Sequence, residues 1–220
     1  MIELCNLTKE FSLAGVRRTL FSNLNLCLPA HRSIALLGRN GSGKTTLLRI
    51  ISGIMDPTRG EVRTTGAVSW PVGFAGSFHP DLTGAQNTRF VARIYGVDTD
   101  ELSAFVQDFA GIGRHYHLPF RSYSAGMRSR LAFGVSMGIR FDTYLVDEVT
   151  SVGDGAFRER SAALFQTRME TAGALVVSHS MPLIRRLCSA GVVLARDGAT
   201  FHGEIDAAIA HHEDLLARSR

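Results

Sequence analysis

The octapeptide Gly38-Arg39-Asn40-Gly41-Ser42-Gly43-Lys44-Thr45 limits the fold more than any other stretch of this chain. It fits G-x-x-x-x-G-K-[ST] at every fixed position. The apolar run Ser33–Leu37 leads into it. Leu47, Leu48, Ile50, Ile51 and Ile54 follow at helical spacing, which predicts a helix over Lys44–Met55 stopped by Asp56-Pro57. Glycines let the backbone N–H groups of such a loop turn toward phosphates, and the helix behind it adds its positive N-terminal end. Lys44 is expected to pair with β- and γ-phosphate oxygens, and Thr45 to put its hydroxyl on Mg²⁺. The ATP contacts are expected to run from Gly38 through Thr46.

A phosphate loop needs a sheet behind it, and the rest of the chain supplies one. Thr143–Val146 and Ala174–Ser178 are short apolar runs of the kind that make buried strands. Their alternation with helical stretches argues for an α/β fold with a mostly parallel sheet flanked by helices. The N-terminal part differs. Met1–Leu7 and Leu24–Leu28 alternate in part, Ala14–Thr19 is a turn or hairpin tip, and residues 61–75 look like strand and loop. Thr83–Met137 reads as mostly helical. Leu102, Phe105, Val106 and Phe109 keep i, i+3, i+4, i+7 spacing behind possible caps at Asp98, Thr99 and Asp100. The expected organisation is one domain: an ATP-binding core over 1–82 and 138–206, a helical insert over 83–137, and a short helical tail after 207.

The strand Tyr144-Leu145-Val146 ends in Asp147-Glu148. Alone, such a pair is most simply two surface acids. Behind a phosphate loop, Asp147 is placed to hold the Mg²⁺ shell and Glu148 to polarise an attacking water.

Bulk properties narrow the classes. The 220 residues suffice for one large domain, and 45% hydrophobic content is ordinary for a globular chain. A formal charge of +4, with both signs mixed along the sequence, gives no case for nucleic acid. Cys5, Cys27 and Cys188 lie far apart and form neither a metal motif nor a disulfide framework, which suits a reducing cytosol. The N-terminus lacks the pattern of a signal peptide, and no apolar run approaches the ~20 residues of a membrane span. His115 and His117, like the tail pair His211-His212, are expected to be solvated rather than metal-bound. Arg17-Arg18 reads as a solvated turn, and Trp70 as either core or part of a docking groove.

Ser122-Tyr123-Ser124-Ala125-Gly126-Met127-Arg128 precedes the apolar helix Leu131–Ile139. Alone, Ser124 would be an ordinary N-cap. The order of phosphate loop, helical insert, this turn and Asp-Glu resembles the ABC ATPase family. The resemblance implies a P-loop NTPase (RecA-like) core with an antiparallel β subdomain and an inserted helical subdomain. It also makes Ser124, Ala125 and Gly126 the signature that meets the γ-phosphate in trans. The family pattern is close to L-S-G-G-Q, so Ser124 and Gly126 match while Ala125 and Met127 depart. His179, after the strand Ala174–Ser178, falls where the family keeps its switch histidine. Asp154 in Ser151-Val152-Gly153-Asp154 falls in its D-loop, and Phe11 best fits its adenine-stacking aromatic. One departure is plain: the family's glutamine ligand belongs near Phe74, yet 66–85 contains no glutamine and Gln86 comes too late.

Ser69-Trp70-Pro71, Leu82-Thr83-Gly84-Ala85-Gln86-Asn87, the stretch Tyr123–Phe133 and Ser151–Asp154 together resemble the polysaccharide-exporter branch. They match most nearly the capsular polysaccharide export ATPases of Gram-negative bacteria. The short tail fits that type better than O-antigen or teichoic-acid exporter ATPases, many of which carry a further domain. The resemblance implies ATP and Mg²⁺ as cofactors and a second copy meeting the first head to tail. It also implies integral membrane permease subunits as partners and a place on the cytoplasmic face of the inner membrane. The glycan would meet the permease, touching this chain weakly or not at all. Three rivals compete: a soluble ABC ATPase acting on ribosomes or DNA, a P-loop kinase or GTPase, and a regulatory subunit that binds ATP without turnover. The first usually has two such domains or a coiled-coil insertion, the second has no need of Ser124-Ala125-Gly126, and Glu148 with His179 argues against the third.

Overall fold

The computed structural model describes residues 1–13, 15–76, 78–147, 155–195 and 198–218. Along the chain run β1 (Ile2–Leu13), β2 (Val16–Leu28), β3 (Ser33–Gly38), α1 (Lys44–Ile51), β4 (Arg59–Thr64) and β5 (Val68–Pro71). Then come α2 (Gly84–Tyr95), α3 (Thr99–Ala110), α4 (Ala125–Gly138), β6 (Thr143–Asp147) and α5 (Gly155–Met169). The chain continues through β7 (Gly173–Val177), α6 (Met181–Leu187), β8 (Ala190–Ala195), β9 (Gly198–His202) and α7 (Ile205–Ala217).

These elements form two compact units. The first holds the described residues of 1–71, 141–148 and 171–220, the second those of 72–140 and 149–170. In the first, a six-stranded sheet has the order β5-β6-β7-β3-β8-β9, parallel throughout except for β8–β9. A three-stranded antiparallel sheet, β2-β1-β4, lies in the same unit. The core between them is aliphatic, with Leu36, Leu47, Leu48, Leu145, Leu175 and Val192 all nearly inaccessible to water.

Two boundaries differ from the sequence expectation, each for a local reason. The N-terminal strands are long rather than short. Their pairing slips between Leu4 and Leu7, between Leu7 and Lys9, and between Lys9 and Glu10, and each slip interrupts the alternation that marks a strand. Helix α1 stops at Ile51 rather than Met55. Gly53 adopts φ +73°, its N–H donates to Ile50 O, and the N–H groups of Ile54 and Met55 both return to Arg49 O. Pro57 therefore follows a helix that has already ended.

β5 is an edge strand, where Pro71 is tolerated because no neighbour needs its missing N–H. The β5–β6 register slips between Val68 and Pro71. Ser69, fully buried, bridges the slip: its Oγ accepts the Leu145 N–H at 2.9 Å and donates to Trp70 O at 2.7 Å. Trp70 is buried, edge-on to Phe141 at 5.6 Å, so it is core.

The second unit is helical. Phe109 stacks on Phe105 and Phe133 and meets Phe157 edge-on, tying α3, α4 and α5 together. Thr83 and Gln86 cap α2 reciprocally, Asp98 caps α3, and Ser124 caps α4. Among the described residues, no helix is long and apolar enough to cross a membrane.

Candidate nucleotide site

In the first unit, three of the predicted site residues lie at the carboxyl end of the parallel sheet. Gly38 closes β3, Asp147 closes β6, and His179 lies two residues beyond β7, which sits between those two strands. Open α/β sheets bind ligands at the carboxyl ends of their strands, where loops and helix N-termini converge.

The loop between β3 and α1 is shaped by close approach. A Cβ on Gly38 would lie 2.6 Å from Leu194 O, and one on Gly43, at φ +101°, would lie 2.8 Å from side-chain carbons of Leu20. Only glycine lets the loop sit this near β2 and β8. Lys44 Nζ donates to Gly38 O at 2.7 Å and to Arg39 O at 3.1 Å, so its ammonium lies folded over the loop's own backbone. The first-turn N–H groups of a helix have no intrahelical acceptor, and α1 carries no acid in that turn to occupy them.

The residues fit a polyphosphate. Ser42 Oγ is buried with no hydrogen-bond partner among the described residues, which a phosphate oxygen would supply. A Cβ built on Gly41 meets nothing within 4 Å, leaving space against the loop backbone. Arg39, Asn40, Gly41 and Thr45 are exposed, and Thr46 is half-buried. They fit Mg²⁺ as well: the Thr45 hydroxyl and the half-buried Asp147 carboxylate are the oxygen donors that this ion prefers. His179 is exposed, in a turn where Ser178 Oγ accepts the Ser180 N–H at 3.1 Å. Phe11 lies on β1 of the antiparallel sheet, 41% exposed, opposite Arg18. Lys9 Nζ lies 5.2 Å from the Phe11 ring centre and donates to Asp56 O. Glu148 and Asp154 lie outside the described residues.

The second unit carries Ser124, Ala125 and Gly126, all exposed at the start of α4. Ser124 Oγ accepts the Met127 N–H at 3.2 Å, the first turn bears no acid, and a Cβ on Gly126 would meet only Ser124 Oγ, at 4.0 Å. That turn presents N–H groups and a hydroxyl to solvent, a surface suited to an anion.

Several features escaped the sequence reading. Gln86, too late in the chain for the family's metal ligand, is committed to the α2 cap, its Oε1 accepting the Thr83 N–H at 2.9 Å. Thr83-x-x-Gln86 is itself the capping-box signal that could have shown this. Asn87 is fully buried, its Oδ1 accepting one N–H and the two protons of its Nδ2 facing three carbonyl oxygens at 3.1–3.2 Å, a burial that its polar side chain does not announce. The tail histidines are not solvated. His211 Nδ1 lies 2.9 Å from His202 Nε2 on β9, and His212 is buried because α7 packs onto β8 and β9. His212 is held below the ordinary histidine range by burial and then by the Lys44 charge, His202 by burial and then by its neighbour His211. Among the described residues, no cluster of three or more His, Cys, Asp or Glu could hold a metal ion.

Comparison with known proteins places the chain. The ABC transporter family profile matches residues 21–151. The polysialic acid transport ATP-binding protein KpsT of Escherichia coli is 43% identical over 220 residues, covering 98% of this chain and all of that protein. The capsule polysaccharide export ATP-binding protein CtrD of Neisseria meningitidis serogroup B is 37% identical, again over 98% of this chain and 100% of its own length. An O-antigen export system ATP-binding protein of Klebsiella pneumoniae is 32% identical over 80% of this chain and 73% of its own. Among solved structures, a dimeric ATP-binding cassette in a post-hydrolysis state bound to ADP and Pi superposes with TM-score 0.76. It is 19% identical, covering 93% of this chain and 99% of that one. An ATP-binding subunit of an ABC transporter gives TM-score 0.78 at 18% identity, covering 96% and 92%. These structures share the fold.

Proposed function

The chain belongs to the ABC transporter family, and from that premise we propose that it is the ATP-hydrolysing subunit of a capsular polysaccharide exporter. One observation carries the finer reading: relatives named for polysialic acid transport and capsule export match this chain end to end at 37–43% identity. Relatives named for O-antigen export are less similar, and this chain spans only 40–73% of their length.

The proposed chemistry follows from the residues. Lys44, the loop amides and the N-terminus of α1 bind the ATP phosphates, with Ser42 Oγ taking up a phosphate oxygen. Phe11 stacks on adenine. Thr45 and Asp147 hold Mg²⁺, which when bound neutralises charge on the phosphates. Glu148 removes a proton from the attacking water, and His179 helps hold that water and the γ-phosphate. Ser124, Ala125 and Gly126 of a second copy complete the site in trans, with Asp154 at the contact between copies. Hydrolysis takes place only where both parts meet, so turnover is tied to dimer closure.

Closure then moves permease subunits in the inner membrane, with this chain on the cytoplasmic face. The exposed apolar residues Phe90, Ile94 and Tyr95 on α2 support a docked partner. The glycan itself passes through the permease.

The test is ATP turnover of purified protein beside Glu148→Gln, with gel filtration in ATP and Mg²⁺. Turnover that vanishes in the variant, together with an ATP-dependent dimer, is expected. Equal turnover in both would remove Glu148 as the base. Assay of the same variants with capsule permease subunits reconstituted, against an O-antigen permease, separates the two glycan readings by which one stimulates turnover.

A further inference from the structure

The signature turn stands on a segment far from it in sequence, and one of the contacts that join the two is made at the Leu82 carbonyl. Residues 118–123, just before Ser124, belong to no long element; only Phe120–Ser122 form a short 3₁₀ turn. What holds them is the stretch 78–83. Phe120 N–H donates to Leu82 O and Arg121 N–H to Pro80 O, both at 2.8 Å, and Thr83 bridges to Pro119. Phe78 meets Phe120 edge-on at 5.3 Å, and Arg121 pairs with Asp81.

The stretch 79–83 is irregular too, and the Asn87 side chain makes more bonds to it than any other. Asn87 is 1% exposed on α2. Its Oδ1 accepts the His79 N–H at 2.8 Å, and its Nδ2 lies 3.1 Å from His79 O, 3.2 Å from Leu82 O and 3.1 Å from Thr83 O. Leu82 O therefore receives Asn87 Nδ2 on one side and the Phe120 N–H on the other. Buried polar groups with every bond satisfied fix geometry more than they add stability.

We propose that Asn87 is the positioning residue for the signature turn, fixing through Leu82 O the backbone that aims Ser124 at the nucleotide of a second copy. The inference rests on the reading of Ser124 as a γ-phosphate contact. Asn87 touches no nucleotide; it acts through residues 82 and 120.

Asn87→Asp isolates the claim. The carboxylate still accepts from His79 N–H but has no proton for the carbonyls of His79, Leu82 and Thr83. The variant is expected to bind a fluorescent ATP analogue as monomer within about twofold of wild type, while kcat and ATP-dependent dimer formation fall about tenfold or more. Ser124→Ala is expected to do the same, and the double variant to be no worse than Ser124→Ala, since both act on one contact. Multiplying losses in the double variant, or wild-type turnover in Asn87→Asp beside a crippled Ser124→Ala, would overturn the positioning role. An unaffected Ser124→Ala would instead sink the signature reading itself. Should Asn87→Asp not fold, amide exchange on the wild-type protein decides: the N–H groups of His79, Phe120 and Arg121 are expected to open together. Exchange at Phe120 and Arg121 while His79 stays protected would overturn the inference.

Discussion

Gly41→Ala separates what the phosphate loop needs for its own fold from what it needs for its ligand. A Cβ at this position meets nothing within 4 Å, so no protein atom has to move. The protein-side penalty comes only from the backbone, since Gly41 sits at φ +77°. An L-residue in that region costs about 1–2 kcal/mol. For a chain of this size that lowers Tm by about 2–8 °C, at about 2–4 °C per kcal/mol. The ligand side is different, because the same empty space is where phosphates would lie. At ATP one hundred times Kd, wild-type protein gains about 2.7 kcal/mol and so about 5–11 °C. A methyl group that costs about 2.7 kcal/mol of phosphate contact weakens binding about a hundredfold. The same ATP then gives the variant about 0.4 kcal/mol, or about 1–2 °C. Thermal melts of both proteins with and without ATP read both effects. A variant that keeps the full ATP-dependent shift would refute the placement of phosphates against Gly41.

Other substitutions test the scaffold. Ser69→Ala strands the Leu145 N–H inside the sheet and is expected to cost about 1–3 kcal/mol, read as a fall in Tm of about 2–12 °C; an unchanged Tm would show that the slip between β5 and β6 needs no bridge. The β9–α7 histidines predict acid sensitivity. His202 and His212 sit below the ordinary histidine value in the folded chain, chiefly through burial, so the unfolded chain takes up protons first as pH falls. Stability should be level above about pH 6.5 and decline as pH drops below it. His212→Leu should reduce that decline, measured as the difference in urea midpoint between about pH 7.5 and 5.5. An undiminished difference would mean that His212 is not a source of it.

What could be read from the sequence shares one property: it is enforced locally. The phosphate loop needs its glycines, lysine and flanking strand and helix within a short stretch, so pattern alone places it. The buried strands β3, β6 and β7 are continuous apolar runs, and their parallel pairing follows from the helices between them. Features that depend on distant partners were hidden. The lengths of β1 and β2 are set by pairing slips that erase alternation, and the end of α1 by Gly53 rather than the more conspicuous Pro57. His212 looks like a polar tail residue until α7 is seen packed on β8 and β9.

The missing glutamine shows the same division at the site. Its expected place near Phe74 falls in the turn after β5, and the nearest glutamine in sequence, Gln86, has both its capping bonds inside the second unit. Withdrawing Gln86 from that cap to reach a metal ion would leave the Thr83 N–H at the start of α2 without its acceptor, at a cost of about 1 kcal/mol. It would also loosen the Thr83 backbone whose carbonyl accepts from Asn87. A side chain so engaged is a structural part of the start of α2. Residues 79–87 thus use the Asn87 amide and the Gln86 Oε1 to hold their own backbone.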